Sequence, residues 1–118
     1  MFKVLSNDLG DVYVEPEVVE TITGMATVDC YGLVGMVPKN FTSGIVSVLG
    51  VDSLRKGVKV QQSEEGSIID VYVIMAYGTK IHEIAHNVMD KVVYVLTTEA
   101  GLRVAKVNVN VMGIKYVP

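Results

Sequence analysis

The run from Ile68 to Tyr77 most constrains the fold, because it reads as a strand that is apolar in both registers. Side chains alternate across a strand. One face carries Ile69, Val71, Val73 and Met75, and the other carries Tyr72, Ile74 and Ala76. A sheet built around it has one face for helices and a second that is too apolar to stand open to water. Two covers are open for that second face: another copy or a partner, or the irregular stretch between Gly32 and Lys56 folded over it.

The flanking elements follow from pattern. Gly57 to Gln61 alternates as a strand, and Glu64-Glu65-Gly66-Ser67 supplies the hairpin turn into the central run. Thr79 is placed as the N-cap of a helix reaching about Thr98, stopped by Gly101. Val104 to Ile114 then alternates, with Val107, Val109 and Val111 opposite Lys106, Asn108 and Asn110. Earlier, Asp11 to Glu15 reads as a short strand, and Pro16 stands where a helix begins. From Glu17, the residues Val18, Val19, Ile22, Met25, Ala26 and Val28 recur at helical spacing. Gly24 interrupts that pattern, and close packing against another backbone is the expected reason. Gly32 to Asn40 is glycine-punctuated and irregular, and Ile45, Val46, Val48 and Leu49 suggest a short helix.

The order strand, helix, irregular segment, hairpin, helix, strand implies an α+β, two-layer sandwich. The expected sheet is mostly antiparallel, with four to five strands and two main helices on one face. At 118 residues, with 50% hydrophobic and 19% charged side chains, the chain is expected to be one globular domain, residues 1–118 with a core over about 11–115.

Charge and cysteine content narrow the function classes. A net charge of −3 argues against a phosphate-binding nucleic-acid protein, which needs a concentrated basic surface. Cys30 is the only cysteine, so an internal disulfide is not formed. Met1 to Asp8 has no apolar h-region, and no run approaches the roughly 18 residues of a membrane span. The expected location is cytoplasmic, with any membrane met through a partner or a surface.

The sharpest chemical motif is His82-Glu83-Ile84-Ala85-His86, which satisfies the H-E-x-x-H pattern of zinc metalloproteases. Two histidines at i and i+4 can hold zinc while the glutamate polarises water. A third protein ligand is missing. The extended pattern needs Gly at 89 and His at 92, where the chain has Met89 and Val92. No other histidine exists, so a third ligand has to be a carboxylate such as Asp90, Glu99 or Glu83 itself. At 100° per residue, Ile81, Ile84, Ala85, Val88, Val92, Val95 and Leu96 share the apolar stripe. His82 and His86 lie on its shoulder beside Met89 and Val93, while Glu83 points to the solvated side. Two half-exposed surface histidines are therefore expected rather than a catalytic or resident metal site, and a weak surface or inter-subunit metal site is the remaining metal reading.

Other candidates carry less. Cys30 reads as a packing residue. Gly32-Leu33-Val34-Gly35-Met36 lacks the Gly-Lys-Ser/Thr of a phosphate loop. Arg55, Lys56 and Lys59 form a modest basic group, and Asp11, Glu15, Glu17 and Glu20 stand where a helix start favours acids. No nucleophile–base or paired-carboxylate arrangement emerges.

Five ordered landmarks resemble the alkaline shock protein family: Ala26 to Met36, Lys56 to Val60, Asp70 to Ile74, Tyr77 to Val88, and Gly101 to Val104 with Val107 to Ile114. The resemblance spans roughly residues 11 to 115, and the tract around Cys30 is most similar to the housekeeping branch encoded beside a kinase related to dihydroxyacetone and fatty-acid kinases. It implies a small cytosolic protein of Gram-positive-type bacteria, linked to cell-envelope stress or homeostasis and without known catalysis. Glu83 and Ala85 fit the family signature, whereas histidine at 82 is not a required part of it, and the resemblance carries over no cofactor and no ligand site. The leading expectation is a non-enzymatic module that self-associates or docks a protein partner, such as the neighbouring kinase or an envelope-associated protein. Its interface candidates are Tyr72, Ile74, Ala76, Met89 and Val93. The competing expectations are a minimal zinc hydrolase using His82, His86 and Glu83, and an RNA-binding accessory domain.

Overall fold

The structure, a computed structural model, describes residues 1–39 and 51–118. Its elements run β1 (Phe2–Asn7), β2 (Gly10–Val14), α1 (Pro16–Val28), β3 (Leu33–Met36), a 3₁₀ segment (Val51–Gly57), β4 (Val58–Ser63), β5 (Gly66–Ala76), α2 (Ile81–Glu99) and β6 (Val104–Lys115). The architecture is α+β, with two helices, a four-stranded sheet and a separate two-stranded hairpin.

β5 is the centre of the larger sheet. One of its edges is shared end to end by two short antiparallel strands: β4 covers Gly66 to Val71 and β3 covers Val73 to Met75. The other edge pairs along almost its whole length with β6. That last pairing is parallel, since the chain leaves the end of β5, returns through α2 and re-enters the sheet in the same direction. Periodicity is the same for parallel and antiparallel strands, so the mostly antiparallel expectation holds for β3 and β4 but not for β6.

Ile69, Val71, Val73 and Met75 are fully buried on the helix side, as their register requires. They meet Val19 and Ala26 of α1 and Ile84, Val88, Val92 and Leu96 of α2 in one core. Each such side chain contributes about 1.5–3 kcal/mol when fully buried, so this layer dominates the stability. α1 begins at Pro16, where the absent N–H costs nothing, and the amides of Val18 and Val19 donate to the Glu15 carbonyl. Gly24 is buried against the 3₁₀ segment. A Cβ there would come within 2.9 Å of Leu54 Cβ and 3.2 Å of the Leu54 backbone, which is the close approach its place in the helix suggested.

Three sequence expectations are revised. Phe2–Asn7, unassigned from sequence, forms β1 and pairs with β2, and Phe2 reaches the main core. Leu33–Met36 is a strand despite its glycines: Gly35 pairs with Ile74, and the register shifts between Leu33 and Gly35, where Val34 is the extra residue. Thr79 does not cap α2: its hydroxyl donates to the Ala76 carbonyl at 2.7 Å, and Lys80 takes the N-cap position without a side-chain bond. The helix suggested over 45–49 lies outside the described residues. At the other end of α2 the expected stop is present. Gly101 adopts φ +66°, and the Leu102 amide donates back to the Leu96 carbonyl at 3.1 Å.

Candidate functional site on the second helix

α2 divides the histidine motif between two environments. Ile84 is buried in the core, whereas His82, Glu83 and His86 are exposed. His82, Glu83, His86 and Asn87 line one shallow depression at the start of the helix. His86 Nδ1 lies 3.3 Å from Asp90 Oδ2 one turn later. Glu83 is turned to Lys80, with a carboxylate–ammonium distance of 3.9 Å. Among the described residues, no group of three or more His, Cys, Asp and Glu side chains is placed to hold a metal ion. Asp90 touches the histidine pair by facing Nδ1 of His86, and Glu99 lines a different surface. The third ligand that zincin chemistry requires is therefore not assembled among them.

Further along, the same shoulder is apolar. Met89, Val93 and Tyr94 line a depression with Asp90, Thr97 and Thr98, and Tyr94 is 67% exposed. α1 packs against the opposite flank of α2, where Lys91 Nζ lies 3.5 Å from Asp29 Oδ2. The Met89–Val93 shoulder consequently overlooks the β6 side of the sheet, over which α2 packs. Among the described residues β6 pairs on one edge only, through β5, which leaves a twelve-residue strand with one unpaired edge beside this shoulder.

The outer face of the sheet is less open than its sequence suggests. Tyr72 and Ala76 are half-buried. Ile74 is only 4% exposed within the single chain, with its Cδ1 over Gly113, so it offers almost no contact surface; this corrects its selection as an interface residue. Polar groups also occupy this face. Asn108 donates to Asp70 at 3.1 Å, and Asn110 donates to the Val71 carbonyl at 3.2 Å.

A second surface was not anticipated. Ile22, Met25, Ala26 and Val28 of α1 face Val95 of α2 and Leu54 across an open cleft, rimmed by Asp29, Lys91 and Glu99. Met25 and Val28 lie on the edge of the α1 stripe, which was the available signal; the cleft itself depends on where α2 docks. Cys30 follows the C-cap residue Asp29 of this helix, half-buried, with its thiol 3.5 Å from the Ala26 carbonyl. Burial pushes its pKa up; Lys91 opposes that shift and Asp29 adds to it. A protonated, half-buried thiol fits a packing role rather than a nucleophile.

Comparison with known proteins converges on one family. A profile of the alkaline shock protein family, described as having a cell envelope-related function, matches residues 4–116. The chain belongs to the alkaline shock protein family. Relatives within it include uncharacterised proteins of Bacillus subtilis (strain 168). YloU is 42% identical over 112 residues, covering 94% of this chain and 93% of YloU. YqhY is 33% identical over 108 residues, covering 92% and 79%. In three dimensions this alkaline shock protein is similar to a MamM-CTD variant, with a TM-score of 0.50 and 10% identity over 88% of this chain and 100% of that one, a likeness of fold alone. No described helix of this family member is long and apolar enough to cross a membrane.

Proposed function

We propose that this alkaline shock protein serves the cell envelope as a non-enzymatic assembly module that pairs with a second copy of itself. The observation that carries the reading is the edge of β6 that is unpaired among the described residues, lying beside the α2 shoulder where Met89 is half-buried and Val93 and Tyr94 are exposed. A long free edge is a template for another strand. Proteins usually blunt such an edge with proline or charge, yet Val107 to Ile114 contains neither. That uncharged stretch is self-complementary. Within Val107 to Ile114 an antiparallel copy across a two-fold axis sets no charges opposite one another, with Lys106 and Lys115 confined to its two ends, and it brings the two α2 shoulders towards the same seam. The same edge and shoulder would also seat a protein partner, such as a kinase or an envelope-associated protein.

Light scattering over a range of concentrations tests the reading. The wild-type chain is expected to form dimers or larger species, and Val93→Glu to dissolve them while leaving the melting temperature nearly unchanged. A wild-type monomer at every concentration refutes self-association. Dissociation by Tyr72→Glu but not by Val93→Glu would move the seam to the outer sheet face and refute the edge.

A further inference from the structure

We propose that His82 and His86 form a two-imidazole chelate for a late first-row divalent cation, zinc, copper or nickel, on the exposed start of α2. The proposal is independent of self-association and of catalysis. Residues four apart on a helix are surface neighbours, with Cβ atoms about 5–6 Å apart. A single ion with metal–nitrogen bonds of about 2.0–2.1 Å can bridge two imidazoles presented that way. The helix continues for thirteen residues beyond His86 and is anchored by Ile84, Val88, Val92 and Leu96, so the spacing is held before any metal arrives.

The neighbours favour the chelate. Asp90 Oδ2 lies 3.3 Å from His86 Nδ1, so a carboxylate stands beside that nitrogen and Nε2 is the nitrogen left to a metal. A carboxylate behind a ligating histidine is the usual means of fixing the tautomer and raising ligand basicity. His82 and His86 share one depression and are both exposed, so an ion can reach them and water can fill its remaining positions. Lys80, two residues before His82, is drawn towards Glu83. Imidazole donors without thiolates or a carboxylate cage select zinc, copper and nickel over magnesium and calcium. Two protein ligands fall short of a structural or catalytic zinc site, so exchange with solvent metal is expected to be rapid.

Calorimetric titration of the untagged full chain with zinc chloride is the test, with magnesium and calcium chloride as parallel arms. The expected result is one zinc per chain and no binding of the other two ions. His82→Ala and His86→Ala should each weaken zinc binding by about tenfold or more, as loss of one arm of a chelate requires. Asp90→Asn should weaken it severalfold. Since these side chains are exposed, the metal-free variants should melt with the wild type, and zinc should raise the melting temperature of the wild type alone. Absence of zinc binding by the wild-type chain overturns the proposal. So does stoichiometric binding that survives in the double His82→Ala/His86→Ala variant, because the ion then sits elsewhere.

Discussion

α1 and α2 lie against one another on the same side of the sheet, yet they are built for different tasks. α1 buries small residues: Thr23, Gly24, Ala26 and Thr27 lie inward with Val19, and the 3₁₀ segment closes down on Gly24 at van der Waals distance. α2 buries a regular aliphatic ladder of Ile84, Val88, Val92 and Leu96, one residue per turn, and keeps a wide accessible shoulder. Small residues permit close approach but leave little room for change. Large ones hold a helix down by one stripe and free the rest of its circumference. The surfaces with chemical or adhesive potential, His82, His86, Met89 and Val93, are therefore on α2, while α1 acts as the tightly seated neighbour.

If the ladder of α2 is what anchors it, Leu96→Ala has the largest effect. Leu96 is fully buried, and its truncation is expected to cost about 2–5 kcal/mol in denaturant unfolding. A loss below about 1 kcal/mol would show that the site collapses around the smaller side chain and that the ladder matters less than its burial suggests.

The close seat of α1 gives two smaller changes of opposite sign. Gly24→Ala gains up to about 1 kcal/mol of helix propensity. It also drives a methyl into Leu54, where the backbone at 3.2 Å cannot swing aside as a flexible side-chain tip can. Overpacking costs about 1–3 kcal/mol, so the net expectation is destabilisation by about 1 kcal/mol. A more stable Gly24→Ala variant would mean that the 3₁₀ segment yields readily. Thr23 is the converse case. It is fully buried, and its hydroxyl has no hydrogen-bond partner among the described residues. Thr23→Val keeps the shape and removes the unpaired polar group, so thermal unfolding should show a gain of about 1 kcal/mol. A loss would indicate that a bound water satisfies the hydroxyl.

The same contrast explains what the sequence made legible. β5, α2 and β6 were readable because each is long enough for its apolar period to repeat, and the Met89–Val93 shoulder follows from rotation about α2 alone. β1 was not readable. Phe2–Asn7 is stabilised by pairing with β2 and by one buried phenylalanine, neither of which shows as periodicity. β3 was hidden by Gly32 and Gly35, which interrupt the apolar alternation of so short a strand. The parallel course of β6, the burial of Ile74 and the cleft between the helices depend on how elements dock, and local pattern carries no record of docking. Conversely, the H-E-x-x-H string was more legible than its geometry merits. It specifies two neighbouring imidazoles, but a zincin needs a third ligand from elsewhere in the fold.

The smallest expected effect concerns the contact between the helices. Lys91 and Asp29 are paired at 3.5 Å with both side chains well exposed. Solvent screening limits such a pair to about 0–1 kcal/mol, so Lys91→Ala should barely move the unfolding midpoint. Its more telling consequence is at Cys30. Burial raises the thiol pKa, Lys91 lowers it, and Asp29 raises it. Removing Lys91 takes away the one opposing charge and releases Asp29 from its partner, so the pKa rises further. Alkylation by iodoacetamide at a fixed alkaline pH, which reads the thiolate fraction, should therefore be slower in Lys91→Ala and faster in Asp29→Asn. The linked stability has a defined sign. Because the folded thiol holds its proton more tightly than the unfolded one, this contribution is complete below the unfolded pKa and fades as pH rises through the folded value. Faster alkylation in Lys91→Ala would show that accessibility, not charge, controls Cys30, and that the salt bridge keeps the end of α1 closed.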